Sequence, residues 1–303
     1  MNSVISFPER GHYGKSSYRG NCSGYVQKAL FEQFHSKEVT DPMAGSFTTR
    51  DVCNEMGIIS HCYDLSTGFN ALIDDLPEEA CGSDTWFFHP PYGPIRIPYA
   101  GAEWDDKAFI KEFGYDPKPY DLGRMYSWEE FMKAINYCVM KFYSAMDTGA
   151  RMCILMGDIK RNGQLFSMIR DIAIPSNSLE NIVIKMQHNC MSDQKTYSNK
   201  NFIPIIHEYI AIIHKLSPYM LDYYHTKLEK LDIRDSKCAT WRDLVKAVLS
   251  KLGGNANLEA IYAEIDGHEK CKENHHWKEK VRQTLQLGQM FTSTERGHWT
   301  LAA

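Results

Sequence analysis

The feature that most constrains this chain is a series of short apolar runs that alternate with helical patterns over the first 216 residues. Polar, glycine or proline residues follow each run, and the runs lie at 38–40, 58–63, 85–88 and 152–156. This alternation predicts an α/β fold with right-handed crossovers and a mainly parallel sheet. Such sheets bind ligands beyond the carboxyl ends of their strands, so we expect functional residues in the turns after these runs.

The clearest helical pattern covers residues 128–146, where apolar residues recur on one side with the period of an α-helix. Ser127 and Glu130 have capping-box spacing at its start, and Gly149 suits its end. Two later apolar runs, 182–186 and 209–213, are separated by a polar loop. They predict an antiparallel pair of strands at a sheet edge.

The pattern changes near residue 240. Helical patterns at 241–252, 258–265 and 276–287 precede two short strand patterns at 289–294 and 297–301. Three helices followed by a hairpin predict a small winged-helix (α+β) domain. The chain therefore divides into residues 1–216, a linker at 217–239 and a second domain at 240–303.

Composition narrows the class of protein. The net charge of -4 and the pI of about 6.3 argue, taken alone, against nucleic-acid binding. The nine cysteines include no C-x-x-C pair, and the first residues contain no apolar signal segment, so we expect reduced thiols and a cytoplasmic location. The apolar runs are too short to span a membrane. The histidines have no spacing that indicates a metal site.

Two predicted turns carry residues suited to a nucleotide-like ligand. In the segment 41–49, small residues allow close backbone approach, and the helix start that follows offers free N–H groups. Asp64 follows the next strand, where a carboxylate can bind ribose hydroxyls. The alternatives are an ordinary strand-to-helix turn and an ordinary capping aspartate.

A third turn, His89-Pro90-Pro91-Tyr92-Gly93, is more specific. The two prolines fix the backbone and leave their carbonyls as acceptors. Tyr92 offers an aromatic face for stacking, and neutral His89 offers one acceptor nitrogen. Acceptors beside an aromatic ring suit an exocyclic amine, whereas the alternative is a proline turn that fills a surface groove.

These segments resemble motifs of the S-adenosylmethionine-dependent amino DNA methyltransferases, which modify adenine N6 or cytosine N4. DPMAGSFTT at 41–49 resembles the cofactor motif D-P-F-x-G-S-G-T-T, and HPPY at 89–92 resembles the catalytic motif D/N/S-P-P-Y. Residues 18–24, 184–185, 207–210 and Lys215 also resemble family segments, so the likeness covers roughly residues 7–215. Two positions depart from the pattern: Phe47 replaces a glycine, and His89 replaces the usual Asp, Asn or Ser.

The resemblance implies a Rossmann-like methyltransferase sheet with an antiparallel last strand and S-adenosyl-L-methionine as cofactor. It implies a flipped target base held by the catalytic residues His89, Pro90, Pro91 and Tyr92. It implies cofactor contacts from Arg19, Asn21, Ser23, Asp41, Pro42, Ala44, Gly45, Ser46, Thr48, Thr49, Asp64 and Asp75, the last toward the adenine.

The same resemblance implies double-stranded DNA as partner, with adenine N6 favoured as target, in a bacterial or phage-borne protein. A homodimer and a cognate restriction endonuclease stay open. Basic residues in two loops and one helix suit DNA contact: Arg10, Lys15, Lys185, His188, Lys195, Lys278, Lys280 and Arg282. The alternatives are solvated polar surfaces for these residues, and for the chain a protein-glutamine or RNA methylase, or a non-catalytic DNA-binding or regulatory protein on a methyltransferase fold.

Overall fold

The computed structural model describes residues 1–18, 20–93, 106–125, 127–175, 177–188, 202–216, 220–224, 228–232, 239–287 and 290–302. For 220–224 and 228–232 it describes the backbone alone. Its strands are β1 (Val4–Ser6), β2 (Glu38–Asp41), β3 (Ile59–Cys62), β4 (Thr85–Phe88), β5 (Arg151–Met156), β6 (Asp158–Arg161), β7 (Gln164–Ser167), β8 (Leu179–Met186), β9 (His207–His214), β10 (Met220–Tyr224), β11 (Leu228–Asp232), β12 (Asn255–Asn257), β13 (Phe291–Glu295) and β14 (His298–Leu301).

The helices occupy the segments between these strands. They are α1 (Gly24–Phe34), α2 (Thr48–Met56), α3 (Glu78–Cys81), α4 (Asp106–Phe113), α5 (Trp128–Ala145), α6 (Met168–Asp171), α7 (Trp241–Lys251), α8 (Leu258–Ile265), α9 (Glu269–Glu273) and α10 (Trp277–Leu287). Short 3-10 turns lie at Leu65–Thr67, Lys118–Tyr120 and Leu122–Arg124. None of the helices in the described ranges has both the length and the hydropathy needed to cross a lipid bilayer.

Seven of the described strands form one sheet in the order β1-β8-β9-β5-β4-β2-β3. Strand β9 is antiparallel to both of its neighbours, and the other neighbouring pairs are parallel. The predicted α/β fold with an antiparallel last strand is confirmed. One detail was wrong: the β8–β9 pair is not at the edge, because β1 adds a further strand outside β8.

Each face of the sheet is covered by helices, because the central strands are apolar on both sides. In β4, the side chains of Trp86 and Phe88 enter the core beneath α5, whereas Phe87 enters the core beneath α1 and α2. All three are at most 1% exposed, and burial of each stabilises the fold by about 1.5–3 kcal/mol. The Ser127 hydroxyl accepts the N–H of Glu130 at 3.1 Å, as the capping-box spacing predicts.

The C-terminal unit has its own core and its own sheet. Helices α7, α8 and α10 enclose apolar side chains that include Leu244, Ile261 and Val281, and β12, β14 and β13 form an antiparallel sheet. The three helices and the β13–β14 hairpin occur where the winged-helix pattern predicts them, and β12 and α9 are additional. The segment predicted as a linker contains the antiparallel hairpin β10–β11.

Two ion pairs, the first of them fully buried, join this unit to the residues that follow β9 and α5. Lys215, directly after β9, pairs with Asp243 of α7 at 2.6 Å, and both side chains are fully buried. The Lys215 ammonium also donates to the carbonyls of Ser144 and Met146 at the end of α5. Arg242 pairs with Asp147 at 2.6 Å. The C-terminal unit is therefore fixed to the end of α5 rather than only tethered.

Candidate active site

The candidate site is a cavity of about 740 Å³ at the carboxyl edge of the sheet. The ends of β2, β3, β4, β5 and β8 meet at this edge because these strands are parallel, and antiparallel β9 begins there. The topology thus brings Asp41, Asp64, His89, Lys185 and Glu208 around one space, although they are far apart in sequence. A volume of this size accommodates a small molecule and part of a second one.

Asp41 ends β2 and is 3% exposed. Its Oδ1 accepts the backbone N–H of Met43 at 3.0 Å, and its Oδ2 accepts the hydroxyl of Thr49. Burial raises the pKa of the Asp41 carboxyl to about 7, against the opposing effect of these hydrogen bonds. No cationic side chain among the described residues pairs with Asp41, so a bound cation would complete its environment.

Gln27 lies beside this carboxyl and leaves a second acceptor open. Its Nε2 donates to the Thr49 hydroxyl at 3.1 Å, which in turn donates to Asp41. Its Oε1 is buried and has no hydrogen-bond partner among the described residues, although the side chain borders the cavity. A buried unpaired acceptor is costly, so a donor group on a ligand would be stabilised here.

The loop after Asp41 keeps a glycine-like backbone at the position where the sequence has Phe47. Phe47 adopts the left-handed conformation, with φ 63° and ψ 32°, immediately before α2. The departure from the family pattern therefore changes the side chain while the backbone conformation is one that glycine favours. The Phe47 ring instead lies 4.5 Å from the Arg50 guanidinium.

The N-terminal loop closes over this helix start. Gly14 donates to Asp51 at 2.8 Å, and the Thr48 hydroxyl donates to Asn21 at 2.5 Å. A Cβ at Gly14 would lie 2.3 Å from the Thr48 hydroxyl oxygen, so only glycine permits this approach. The segment 18–24, which resembles a family segment, thus contacts through Asn21 the segment 41–49, which resembles the family's cofactor motif.

Asp64 fixes the loop after β3. Its Oδ1 accepts from the N–H and hydroxyl of Ser66, and its Oδ2 accepts from the N–H of Gly45 at 2.9 Å. The side chain still borders the cavity. Asp64 therefore holds two cavity loops together, and its Oδ2 keeps a further lone pair.

His89 follows β4 and borders the cavity. Burial lowers the pKa of His89 to about 4, since desolvation outweighs the opposing attraction of Glu208. The imidazole is therefore neutral at physiological pH and can accept a hydrogen bond. Histidine at the usual Asp, Asn or Ser position thus retains an acceptor.

The ring of Tyr92 lies between this turn and β5. A Cβ at Gly157 would be 2.9 Å from the Tyr92 ring, so glycine makes room for it. The Tyr92 hydroxyl donates to Glu208 at 2.5 Å and lies 2.8 Å from Nε2 of His89. Lys185 donates to the other oxygen of Glu208. A hydrogen-bonded chain of four side chains therefore borders one end of the cavity.

Most of the predicted site residues do line this cavity. They are Asn21, Asp41, Pro42, Ala44, Gly45, Ser46, Thr48, Asp64, His89, Pro90, Pro91, Tyr92, Lys185 and His188. Arg19 and Lys195 lie outside the described residues. Among the predicted DNA contacts, Lys15 is exposed near the cavity loop, and Arg10 donates to the carbonyl of Tyr13 at 2.9 Å.

Three predicted cofactor residues do not border the cavity. Asp75 is exposed, because the turn at 70–74 directs its neighbour Asp74 back onto the N–H of Asn70 at 2.6 Å. The Thr49 hydroxyl donates to the carboxylate of Asp41, which itself lines the cavity. The Ser23 hydroxyl donates to the carbonyl of Glu9 at 2.8 Å. Phe69 and Asn70 line the cavity in the part of the chain where Asp75 was predicted.

Several cavity residues were missed by sequence reasoning. Glu208 is the most informative, and a lone charged residue in the apolar run that forms β9 was the signal for it. Others are Cys22, Gln27, Phe69, Asn70 and Asp121. Burial raises the pKa of the Cys22 thiol to about 12, so this thiol is not a nucleophile.

The basic helix α10 presents its three predicted DNA contacts differently. Lys278 is exposed, with its ammonium 5.5 Å from the rings of Tyr262 and Trp277. Arg282 pairs with Glu279 of the same helix at 2.8 Å. Lys280 instead pairs with Glu78 of α3. The helix therefore contacts α3 of the N-terminal unit through Lys280, whereas the ammonium of Lys278 faces solvent-accessible aromatic rings of its own unit.

Comparison with known proteins adds little to this geometry. No protein-family model matches the chain, and no curated protein matches its sequence. Among solved structures, TrmN from Thermus thermophilus is similar to it with 13% identity and a TM-score of 0.35. That match covers 65% of this chain and 50% of TrmN, so the chain spans about half of its length. The fold assignment rests on the sheet order and strand directions instead.

Proposed function

We propose that this protein transfers a methyl group from S-adenosyl-L-methionine to the exocyclic amine of a flipped base in double-stranded DNA, with adenine N6 favoured over cytosine N4. The observation that carries the proposal is the single cavity that joins two kinds of site. At one end lie the buried Asp41 and its loop, and at the other the His89–Tyr92 turn. Residues 1–216 would perform the reaction, and residues 240–303 would bind DNA.

The cofactor end fits S-adenosylmethionine. The molecule carries a cationic α-amino group, and the Asp41 carboxyl is a buried acceptor that pairs with no cation among the described residues. The Oε1 of Gln27, which has no hydrogen-bond partner in the same part of the chain, adds a second acceptor nearby. The backbone at the start of α2 suits the α-carboxylate, because helix N-termini attract negative charge. Asp64 is available to the ribose hydroxyls.

The target end fits an amine. Neutral His89 and the Pro90 carbonyl are both hydrogen-bond acceptors, and the Tyr92 ring borders the same space. Two acceptors that hold the amine hydrogens direct the nitrogen lone pair out of conjugation with the base ring. When bound, S-adenosylmethionine supplies an electrophilic methyl group on a sulfonium. The protein contributes position and a dry environment, which account for much of the rate in such transfers.

The C-terminal unit supports DNA as partner. Its helices and hairpin have the order of a winged helix, and Lys278 is exposed on α10. Gln187 and His188 border the cavity directly after β8, where a phosphate contact would place a duplex close to the target turn. The fixed joint through Lys215 and Asp243 would give the two parts a defined spacing along the DNA.

The test is methyl transfer from cofactor that carries a tritiated methyl group. Purified protein is offered duplex DNA of mixed sequence, single-stranded RNA and a protein mixture in parallel. We expect label in the duplex DNA. Tyr92→Ala should reduce the rate at least tenfold through loss of base stacking, whereas Tyr137→Ala, an exposed tyrosine on α5, serves as matched control.

The results separate the rival functions. Label in RNA or protein instead of DNA would favour the corresponding methylase. Cofactor binding without transfer to any acceptor would favour a non-catalytic DNA-binding protein and would overturn the proposal.

A further inference from the structure

The hydrogen-bonded chain His89–Tyr92–Glu208–Lys185 links three separate parts of the fold. His89 and Tyr92 belong to the turn after β4, Lys185 to β8 and Glu208 to β9. Glu208 is 6% exposed, and the side chain of Lys185 is 12% exposed. The sheet register holds two of the four side chains together, because Lys185 and Glu208 are directly paired between β8 and β9.

The positions of the protons along these four hydrogen-bonded side chains decide which nitrogen of His89 can accept a hydrogen bond. The attraction of Lys185, together with hydrogen bonds from Lys185 and Tyr92, outweighs burial and holds the pKa of Glu208 below its usual value. The carboxylate is therefore ionised and can only accept hydrogen bonds. The single proton of the Tyr92 hydroxyl is donated to Glu208 at 2.5 Å.

The consequence reaches His89. Because the Tyr92 proton is used, the 2.8 Å contact between the Tyr92 oxygen and Nε2 of His89 requires that Nε2 carry the hydrogen. A neutral imidazole has one N–H, so Nδ1 then holds a lone pair. No hydrogen bond to Nδ1 occurs among the described residues, and His89 borders the cavity. Nδ1 is thus left as the acceptor for a ligand.

We propose that Glu208 is a positioning residue that fixes, through Tyr92, the Nε2–H tautomer of His89 and thereby gives the target amine an acceptor at Nδ1. The inference rests on the proposed function for its substrate, an exocyclic amine. A carboxylate or amide side chain has a fixed acceptor atom, whereas a neutral histidine has one only when its tautomer is fixed. The hydrogen bond from Tyr92 to Glu208 would supply this for His89. Lys185 keeps Glu208 ionised and so completes the arrangement.

Glu208→Gln tests this directly, because it replaces an acceptor by a group of the same shape that can donate. In this variant the introduced amide donates to the Tyr92 oxygen, the Tyr92 hydroxyl turns to Nε2 of His89, and the imidazole hydrogen moves to Nδ1. The amine then faces a donor. In serine proteases, the corresponding change of a carboxylate to an amide beside histidine costs about 10⁴ in rate, so we expect a loss on the order of a thousandfold.

The first measurement is independent of activity. Protein labelled with ¹⁵N-histidine reports the tautomer of each ring through two-bond nitrogen–proton correlations, and His89→Asn identifies the His89 signals among the 12 histidines. We expect Nε2–H in the wild type, Nδ1–H in Glu208→Gln, and no change in Glu180→Gln. Glu180 is the matched control, because it also belongs to the β8–β9 strand pair, on β8, and forms an ion pair with Arg151 of β5, away from His89.

The second measurement is a double-mutant cycle on methyl transfer. In the His89→Asn background the acceptor no longer depends on a tautomer, so we expect Glu208→Gln to cost less than about fivefold there. Tyr92→Phe, which keeps the ring but removes the link, should leave His89 as a mixture of tautomers even if Glu208→Gln fails to fold.

An Nδ1–H tautomer in the wild type, or the same tautomer in the wild type and Glu208→Gln, would overturn the inference. An equal loss from Glu208→Gln in both backgrounds would do so as well. Failure of methyl transfer in the wild type would count against the proposed function alone, because the tautomer measurement needs no turnover.

Discussion

Binding of the cofactor should depend on pH through Asp41. The Asp41 carboxyl is buried and its pKa is raised to about 7 by desolvation, so near pH 6 most of the unliganded protein carries a neutral carboxyl. A cationic amino group pairs with the ionised form. Binding should therefore strengthen as pH rises through 7, because less free energy is spent on removing the proton.

The magnitude follows from the two titrations involved. With a pKa of about 7, Asp41 is roughly one-tenth ionised at pH 6 and half ionised at pH 7. The α-amino group of S-adenosylhomocysteine is that of a free amino acid and titrates above this range, so the gain ends when Asp41 is almost fully ionised. We expect affinity to rise about fivefold from pH 6 to pH 7 and to level off by pH 8.

The assay is isothermal titration calorimetry with S-adenosylhomocysteine, which retains the amino acid portion but transfers nothing. Titrations at pH 6 in buffers of different ionisation enthalpy should show close to one proton released for each ligand bound. Asp41→Asn should lose both the pH-dependent gain and the proton release. Asp116→Asn, at an exposed aspartate outside the cavity, should behave as the wild type.

An affinity that stays constant between pH 6 and pH 7 would refute this reasoning. So would an unchanged pH profile in Asp41→Asn, because the titrating group would then be a group other than Asp41.

Three further outcomes are expected. Asp243→Asn should lower the free energy of unfolding by about 3–5 kcal/mol, because it leaves Lys215 charged and buried. Urea unfolding would measure this loss. Recovery of the stability in the double variant Lys215→Met, Asp243→Leu would confirm that the unpaired charge causes it. At saturating cofactor, kcat should stay constant as pH falls from 8 to about 5, because His89 with a pKa of about 4 remains neutral. A tenfold decline by pH 5.5 would contradict the neutral form of His89. Lys278→Ala should weaken DNA binding and reduce its salt dependence by about one ion. Lys280→Ala should change the DNA affinity little, because the Lys280 ammonium already contacts Glu78. Equal effects of the two variants in filter binding at several salt concentrations would count against this assignment.

The sequence predicts the sheet well where its strands are apolar on both faces. The runs that became β2, β4 and β5 are buried almost throughout, so their hydrophobicity was visible without knowledge of their neighbours. Strand β1 was missed because three residues, only one of them buried, give no pattern. The β6–β7 hairpin was missed although Asn162-Gly163, both with positive φ, is a strong local turn signal.

The site residues also fall into a group that the sequence predicts and a group that it does not. Residues in local motifs, such as Asp41 and His89, could be assigned from the order of residues in a turn. Glu208 could not, because it is 116 residues from Tyr92 and reaches it only through the register of β9. The sequence predicts Lys280 as a DNA contact. It gives no sign of the ion pair with Glu78, because that pair forms only where the two parts of the chain meet in the fold.

The central claim is that the cavity methylates an amine of a base in DNA. The most direct measurement is modification-sensitive sequencing of DNA from cells that express the chain, compared with cells that express Tyr92→Ala. We expect N6-methyladenine within one defined sequence in the first sample and none above background in the second. DNA without a modified base, from cells whose purified protein still binds S-adenosylmethionine, would contradict the claim.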